Sequence, residues 1–173
     1  MSVDLRRLLD GNARYAETFM DGSLHHAPAE RLMILTCMDA RIEPLAALGL
    51  RLGDAHVLRN AGGRVTEDVL RSVVLSQQLL GTTTIAVIHH THCGLAGLSN
   101  KGFRDEVERR ERTQDVGRGA YRAARQIDFL PFNDLDASVR EDVARLQASP
   151  LVCPGTPIFG LVYDVKTGVL RAV

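Results

Sequence analysis

Residues 89–94 read HHTHCG, so three histidines and a cysteine stand within five positions. Imidazole and thiolate are the donors zinc prefers, in tetrahedral geometry. His90 and Cys93 form an H-x-x-C, a spacing at which one turn can chelate an ion through two side chains. A lone H-x-x-C is weak evidence, because chance and local structure also produce it. A third ligand must come from elsewhere. Cys37, at the end of the apolar run RLMILTC, is the candidate. Two cysteines and one histidine would leave a fourth position open, as catalytic zinc sites do.

The segment CMDAR, residues 37–41, adds charge beside that cysteine. Side chains two apart in extended chain point the same way. Asp39 could therefore reach the open metal position, or accept a two-pronged ion pair from Arg41. These options compete. The plain alternative is a surface Asp–Arg pair, or a cap for the helix expected at EPLAALGL.

These residues must be positioned by elements, and the composition bounds what those are. The chain has 173 residues, 45% hydrophobic and 24% charged, which suits one soluble domain, or one domain with an arm. Lys+Arg and Asp+Glu balance at 21 each, which argues against a nucleic-acid surface. No apolar run is long enough to span a membrane, and the first twenty residues lack an apolar signal core. Three cysteines do not suggest a disulfide framework. A cytoplasmic protein is the expectation.

Residues 2–20 read as an amphipathic helix, with Leu5, Leu8, Leu9 and Tyr15 near one face. Residues 21–30, DGSLHHAPAE, read as a linker. Short apolar runs predict buried strands at 31–37 and 82–90, with further strands at 55–60 and 156–165. A short helix is expected over 43–50, with Pro44 in its first turn. A strong one is expected over 66–81, with Thr66 as N-cap and Gly81 past the end. AGG after residue 60 reads as a tight turn. From Gly94 to Phe132 the signal weakens, though KGFRDEVERRERTQ resembles an exposed helix. A clear amphipathic helix is expected over 134–149, and KTG should turn the chain into a short VLRAV. The alternation predicts an α/β fold: a central, mostly parallel sheet flanked by helices, with an N-terminal helical arm. Sites in such sheets form outside the carboxyl ends of the strands. Cys37, the RNAGG turn and His90 would meet there.

CMDAR, GDAHVLRNAGG and HTHCG together resemble the fingerprints of the β-class carbonic anhydrases, in their order and separations. The H-x-x-C begins 53 positions after the first cysteine (90 − 37). The likeness is dense over 31–98 and extends to VREDVARLQASPLV and IFGLVYDVKTGVL, in the manner of the small bacterial and archaeal branch. It implies an arm and linker over 1–30 and a zinc domain over 31–173. It implies Cys37, His90 and Cys93 as ligands of Zn2+, with Asp39 and Arg41 as a gating dyad. Arg41 would hold Asp39 off the metal in the active form, and Asp39 would coordinate it in a closed form. Arg59 and Gly62 would lie in the loop beside the substrate pocket. The implied activity is reversible hydration of CO2 to bicarbonate by zinc-bound hydroxide, in a homodimer or higher oligomer whose arms embrace a second subunit.

One residue departs from the family pattern: His92 stands where an Asp is usual. That Asp is not a ligand, so a metal site should survive. Relatives that hydrolyse carbonyl sulfide or carbon disulfide use the same ligands, so sulfur-compound hydrolysis is the alternative substrate reading. A non-catalytic zinc protein or thiol sensor is a third. His89 should face away from His90 and pack in the core or an interface. His56 reads as a satisfied buried histidine, His25 and His26 as solvated, and Cys153 as a buried structural thiol.

Overall fold

The computed structural model describes residues 4–173. Helix α1, Leu5–Ala16, is capped by the Asp4 carboxylate, which accepts from the Arg7 amide at 2.8 Å. It is shorter than expected; Ser2 and Val3 lie outside the described residues. None of its residues is buried, and Leu5, Leu8 and Leu9 stay 70%, 60% and 59% exposed. Residues 21–30 form no helix or strand, as their Gly, Pro and short polar residues predict.

Strands β1 (Leu32–Cys37), β2 (Ala55–Asn60), β3 (Thr84–His90), β4 (Ile158–Tyr163) and β5 (Leu170–Ala172) form one sheet in the order β2-β1-β3-β4-β5. The first four are parallel; β5 returns antiparallel along β4. β1 starts after Arg31, whose φ of +51° breaks the extended run. β3 starts two residues later than expected, because the amides of Thr82 and Thr83 donate to Ser76 and Arg31 instead.

Between the strands lie α2 (Pro44–Ala47), a 3-10 turn at Ala61–Gly63, α3 (Glu67–Gln78), α4 (Asn100–Arg112), α5 (Ala120–Ala124) and α6 (Leu135–Ala148). Thr66 caps α3 as expected. Met33, Leu35, Ile85 and Val87 pack against Val69 and Val73 of α3 and Leu146 of α6. Ile34, Ala86 and Ile88 face the other way, toward Leu45 of α2, Leu48 and Leu50. That second face is covered only by the four-residue α2 and nearby chain. It leaves a groove of about 600 Å3 whose walls include Leu32, Leu48, Leu50, Phe159 and Leu161. A parallel sheet normally buries both faces.

The weak stretch 94–132 holds α4 and an unanticipated α5. Its ties are polar: Glu111 accepts from the Gly119 and Tyr121 amides, and Asn100 bonds Asp128 and the Phe129 amide. Its few apolar contacts, Leu95, Phe103, Phe129 and Phe132, are scattered and set no period to read.

Candidate metal centre

Parallel register brings the carboxyl ends of β1 and β3 together: Thr36 pairs with Ile88, so Cys37 and His90 both lie at the same edge. The turn after β3 returns Cys93 to that edge. One ligand atom each of Cys37, His90 and Cys93 lies within 4.8 Å of the others, and all three residues are buried.

His90 has a defined tautomer. Its Nδ1 stands 2.9 Å from the Thr91 carbonyl, which can only accept, so Nδ1 carries the proton. Nε2 is therefore a lone pair, fully buried and without a hydrogen-bond partner. An orphaned basic nitrogen is costly in a core unless it has a ligand to bind. The thiols match it. Cys37 is drawn well below the ordinary thiol value, chiefly because the Cys93 thiol donates to it, against burial. The amides of Asp39 and Gly62 reinforce this. Cys93 is pushed up by sharing its proton with Cys37 and by burial. Two soft sulfurs and one free imidazole lone pair fit a zinc-type donor set.

Glycine is required at the turn that touches Cys37. Gly63 has φ +69°, and a Cβ there would meet the Cys37 nitrogen and the Thr36 carbonyl carbon at 3.0 Å. Gly62, at φ +75°, would clash with Leu95.

Asp39 and Arg41 form a two-pronged pair: Arg41 Nε donates to Oδ1 at 2.9 Å and Nη2 to Oδ2 at 2.7 Å. The guanidinium holds the Asp39 carboxyl well below the usual carboxylate range. The ion pair, one of the two options the sequence offers Asp39, is present. Asp39 Oδ2 still stands 3.8 Å from His90 Nε2, beside the donor cluster. Arg59 aims its donors at main chain, Nε to the Cys37 carbonyl at 3.0 Å and Nη2 to the Asp39 carbonyl at 2.6 Å. It clamps the turn that carries both side chains. Gly62 lies against Cys37, so both loop residues flank the centre. Ile42, Leu95 and Phe132 pack around the two cysteines as an apolar wall, which the sequence did not reveal.

His89 faces away from His90, as strand alternation requires. Its Nδ1 lies 2.8 Å from Ser138 Oγ and its Nε2 3.1 Å from the buried Asp142 of α6. Asp142 also pairs with buried Arg64 at 2.7 Å and accepts from the Val65 amide. This buried network gave no signal in the sequence, since its members are far apart in the chain. His56 is satisfied by Ser76 and the His26 carbonyl, but only half-buried. His25 and His26 are exposed and stacked on each other. Cys153 is half-buried rather than buried, lies just before β4, and accepts from Gln78.

Comparisons with known proteins agree with this geometry. The family model described as carbonic anhydrase matches residues 32–170. The chain is 37% identical over 165 residues to β-carbonic anhydrase 1 of Mycobacterium tuberculosis, covering 95% of this chain and 94% of that one. It is 39% identical over 155 residues to a carbon disulfide hydrolase of Saccharolobus solfataricus, covering 82% of this chain and 76% of that one. Among solved structures, carbonic anhydrase from Streptococcus mutans matches with TM-score 0.86 and 45% identity, covering 100% of this chain and 99% of that one. Carbonic anhydrase from Glaciozyma antarctica matches with TM-score 0.88 and 43% identity, covering 99% of each chain. With its fold, its Cys–His–Cys cluster and these relatives taken together, the chain belongs to the β-carbonic anhydrase family of enzymes, which has carbon disulfide hydrolases among its relatives.

Proposed function

We propose that this chain catalyses the reversible hydration of CO2 to bicarbonate at a zinc ion held by Cys37, His90 and Cys93. The observation that carries the proposal is the buried, unpartnered Nε2 of His90 within 4.8 Å of two buried thiols, with the Arg41-held Asp39 at 3.8 Å. Bound zinc supplies Lewis-acid activation of water near neutral pH. The remaining work falls to the chain. Arg41 keeps Asp39 ionised and paired, so a carboxylate oxygen can accept a hydrogen bond from water and orient its lone pair toward the substrate carbon. Ile42, Leu95 and Phe132 give a small apolar molecule a dry wall. Arg59 and Gly62 hold the Cys37–Asp39 turn in place. CO2 and water yield bicarbonate and one proton, which passes to buffer.

Carbonyl sulfide and carbon disulfide are also linear, apolar triatomic molecules, and the same wall and ligands suit them. The 39% identity to a carbon disulfide hydrolase favours keeping that second reading. A side-by-side assay of CO2, COS and CS2 on zinc-loaded protein separates them. CO2 hydration with little H2S release supports the first reading, and the reverse supports the second. Stoichiometric zinc with neither activity indicates a non-catalytic protein. Less than about one zinc per chain would defeat both enzyme readings.

The assembly in this proposal is a homodimer at least. Residues 1–30 act as an arm, with 31–173 as the zinc domain. The apolar stripe Leu5, Leu8, Leu9 is exposed on its own chain, while the second sheet face keeps an apolar groove. A second copy satisfies both. Cytoplasmic residence fits the three free thiols. Among the described residues, no helix is long and apolar enough to cross a membrane.

A further inference from the structure

His92 is exposed, yet its backbone sits at φ +55°, in the left-handed region. Few side chains adopt that conformation; Asn, Asp and His do so most readily, and β-branched residues resist it. The turn it occupies joins His90 to Cys93. Its carbonyl accepts from Arg41 Nη2 at 3.1 Å, and the same nitrogen donates to Asp39 Oδ2 at 2.7 Å. Arg41 is itself half-exposed, at 51%. Among the described residues, the guanidinium's hydrogen-bond partner besides Asp39 is the His92 carbonyl.

We propose that His92 is a positioning residue: its left-handed backbone aims the carbonyl that anchors Arg41, and so ties the Asp39–Arg41 pair to the turn carrying Cys93. The role lies in the main chain and does not need the imidazole. It rests on the reading of the metal centre given above. With the carbonyl turned away, the Asp39 main chain is still held by Arg59 and its carboxylate still accepts from the Arg41 amide at 3.0 Å, but the Arg41 guanidinium keeps only its bonds to Asp39 and is no longer tied to the turn after β3. The turn thus serves two ends, returning Cys93 to the ligand cluster and holding the gate at a fixed offset from it.

The test is a series of His92→Asn, His92→Gly, His92→Ala and His92→Val, each alone and with Arg41→Gln. Asn and Gly populate the left-handed region, whereas a β-branched residue disfavours it by roughly tenfold. Three readouts are taken: the visible spectrum of the cobalt-substituted protein, the rate at which a chelator strips zinc, and kcat against KM. We expect His92→Asn and His92→Gly to track wild type in all three. His92→Val should change the cobalt spectrum and lower kcat by roughly tenfold at little-changed KM, with His92→Ala changing both less in the same direction. Arg41→Gln should reproduce the spectral change, and the double variant with His92→Val should add nothing to it. If His92→Val does not fold, the His92→Ala comparison decides. Asn and Gly variants as altered as Val, Val or Ala variants matching Asn, or strictly additive double variants would each overturn the inference. A wild-type chain that takes up no zinc overturns the metal reading itself, whereas zinc uptake with Val matching Asn removes only the role of His92.

Discussion

The Asp39 carboxylate stands 3.8 Å from Nε2 of His90, close to the donor cluster but outside hydrogen-bond range, while Arg41 holds both of its oxygens. A charged side chain is thus parked beside a lone pair that has no other partner. Five expectations follow from this centre and the fold around it.

The Arg41 guanidinium depresses the Asp39 carboxyl value. A carboxyl whose folded value lies below its unfolded value of 3.8 stabilises the fold above that value, and the contribution is lost as pH falls through the folded value. Arg41→Gln removes the depression. Because Arg41 is half-exposed, solvent screening should keep its effect on metal-free protein small at pH 7. In urea unfolding, the gap between wild type and variant should close on acidification below about pH 4. A gap independent of pH would show that the pair contributes nothing through ionisation.

Cys37 is held toward thiolate and Cys93 toward thiol in the metal-free chain. Zinc requires both as thiolates. Uptake near pH 6, below the range in which zinc-bound water ionises, should therefore release about one proton. Calorimetry in buffers of different ionisation enthalpy reads this number directly. Release of about two would mean that Cys37 is protonated before zinc arrives.

Gly63→Ala places a Cβ against the Cys37 nitrogen and Thr36 carbonyl carbon at a positive φ. Backbone cannot yield as a flexible side chain can. We expect a loss of about 1–3 kcal/mol together with faster zinc release to a chelator. Unchanged zinc retention would show that the turn does not set the position of Cys37.

Asp142 is 2% exposed and pairs with Arg64, which is 5% exposed. Asp142→Asn leaves that guanidinium buried beside a neutral amide. The expected cost is about 3–5 kcal/mol in chemical denaturation. A loss below about 1 kcal/mol would mean that Glu141, 3.1 Å from the same guanidinium, compensates its charge.

Leu9→Asp charges the exposed stripe of α1, which makes no buried contact within its own chain. Sedimentation should shift from dimer to monomer at micromolar concentration, with the circular dichroism spectrum unchanged. A wild-type chain that already sediments as a monomer would remove the proposed assembly.

Much of this protein was legible in one dimension. Strand runs such as AHVLRN, the cap at Thr66 and the separation of CMDAR from HTHCG depend on local propensity and short spacing, and the elements formed where those signals stand. The convergence of Cys37 with His90 and Cys93 was also readable, because parallel strands must end at one edge. The alternation of side chains along β3 was enough to send His89 away from His90.

Tertiary structure decided what depends on non-local contacts. It brought Arg59 of β2 onto the Cys37 and Asp39 carbonyls, a contact between residues twenty and more positions apart. It set the free lone pair of His90 through the Thr91 carbonyl, a matter of ring orientation that no residue type announces. It joined Arg64, His89 and Asp142, three polar residues from separate elements, into one buried network. It also left one sheet face open while α1 lay unburied. Local sequence specifies which residues favour a strand, a cap or a turn. Only the packed chain specifies which charges, lone pairs and apolar faces meet, because those meetings are set by distances across the fold.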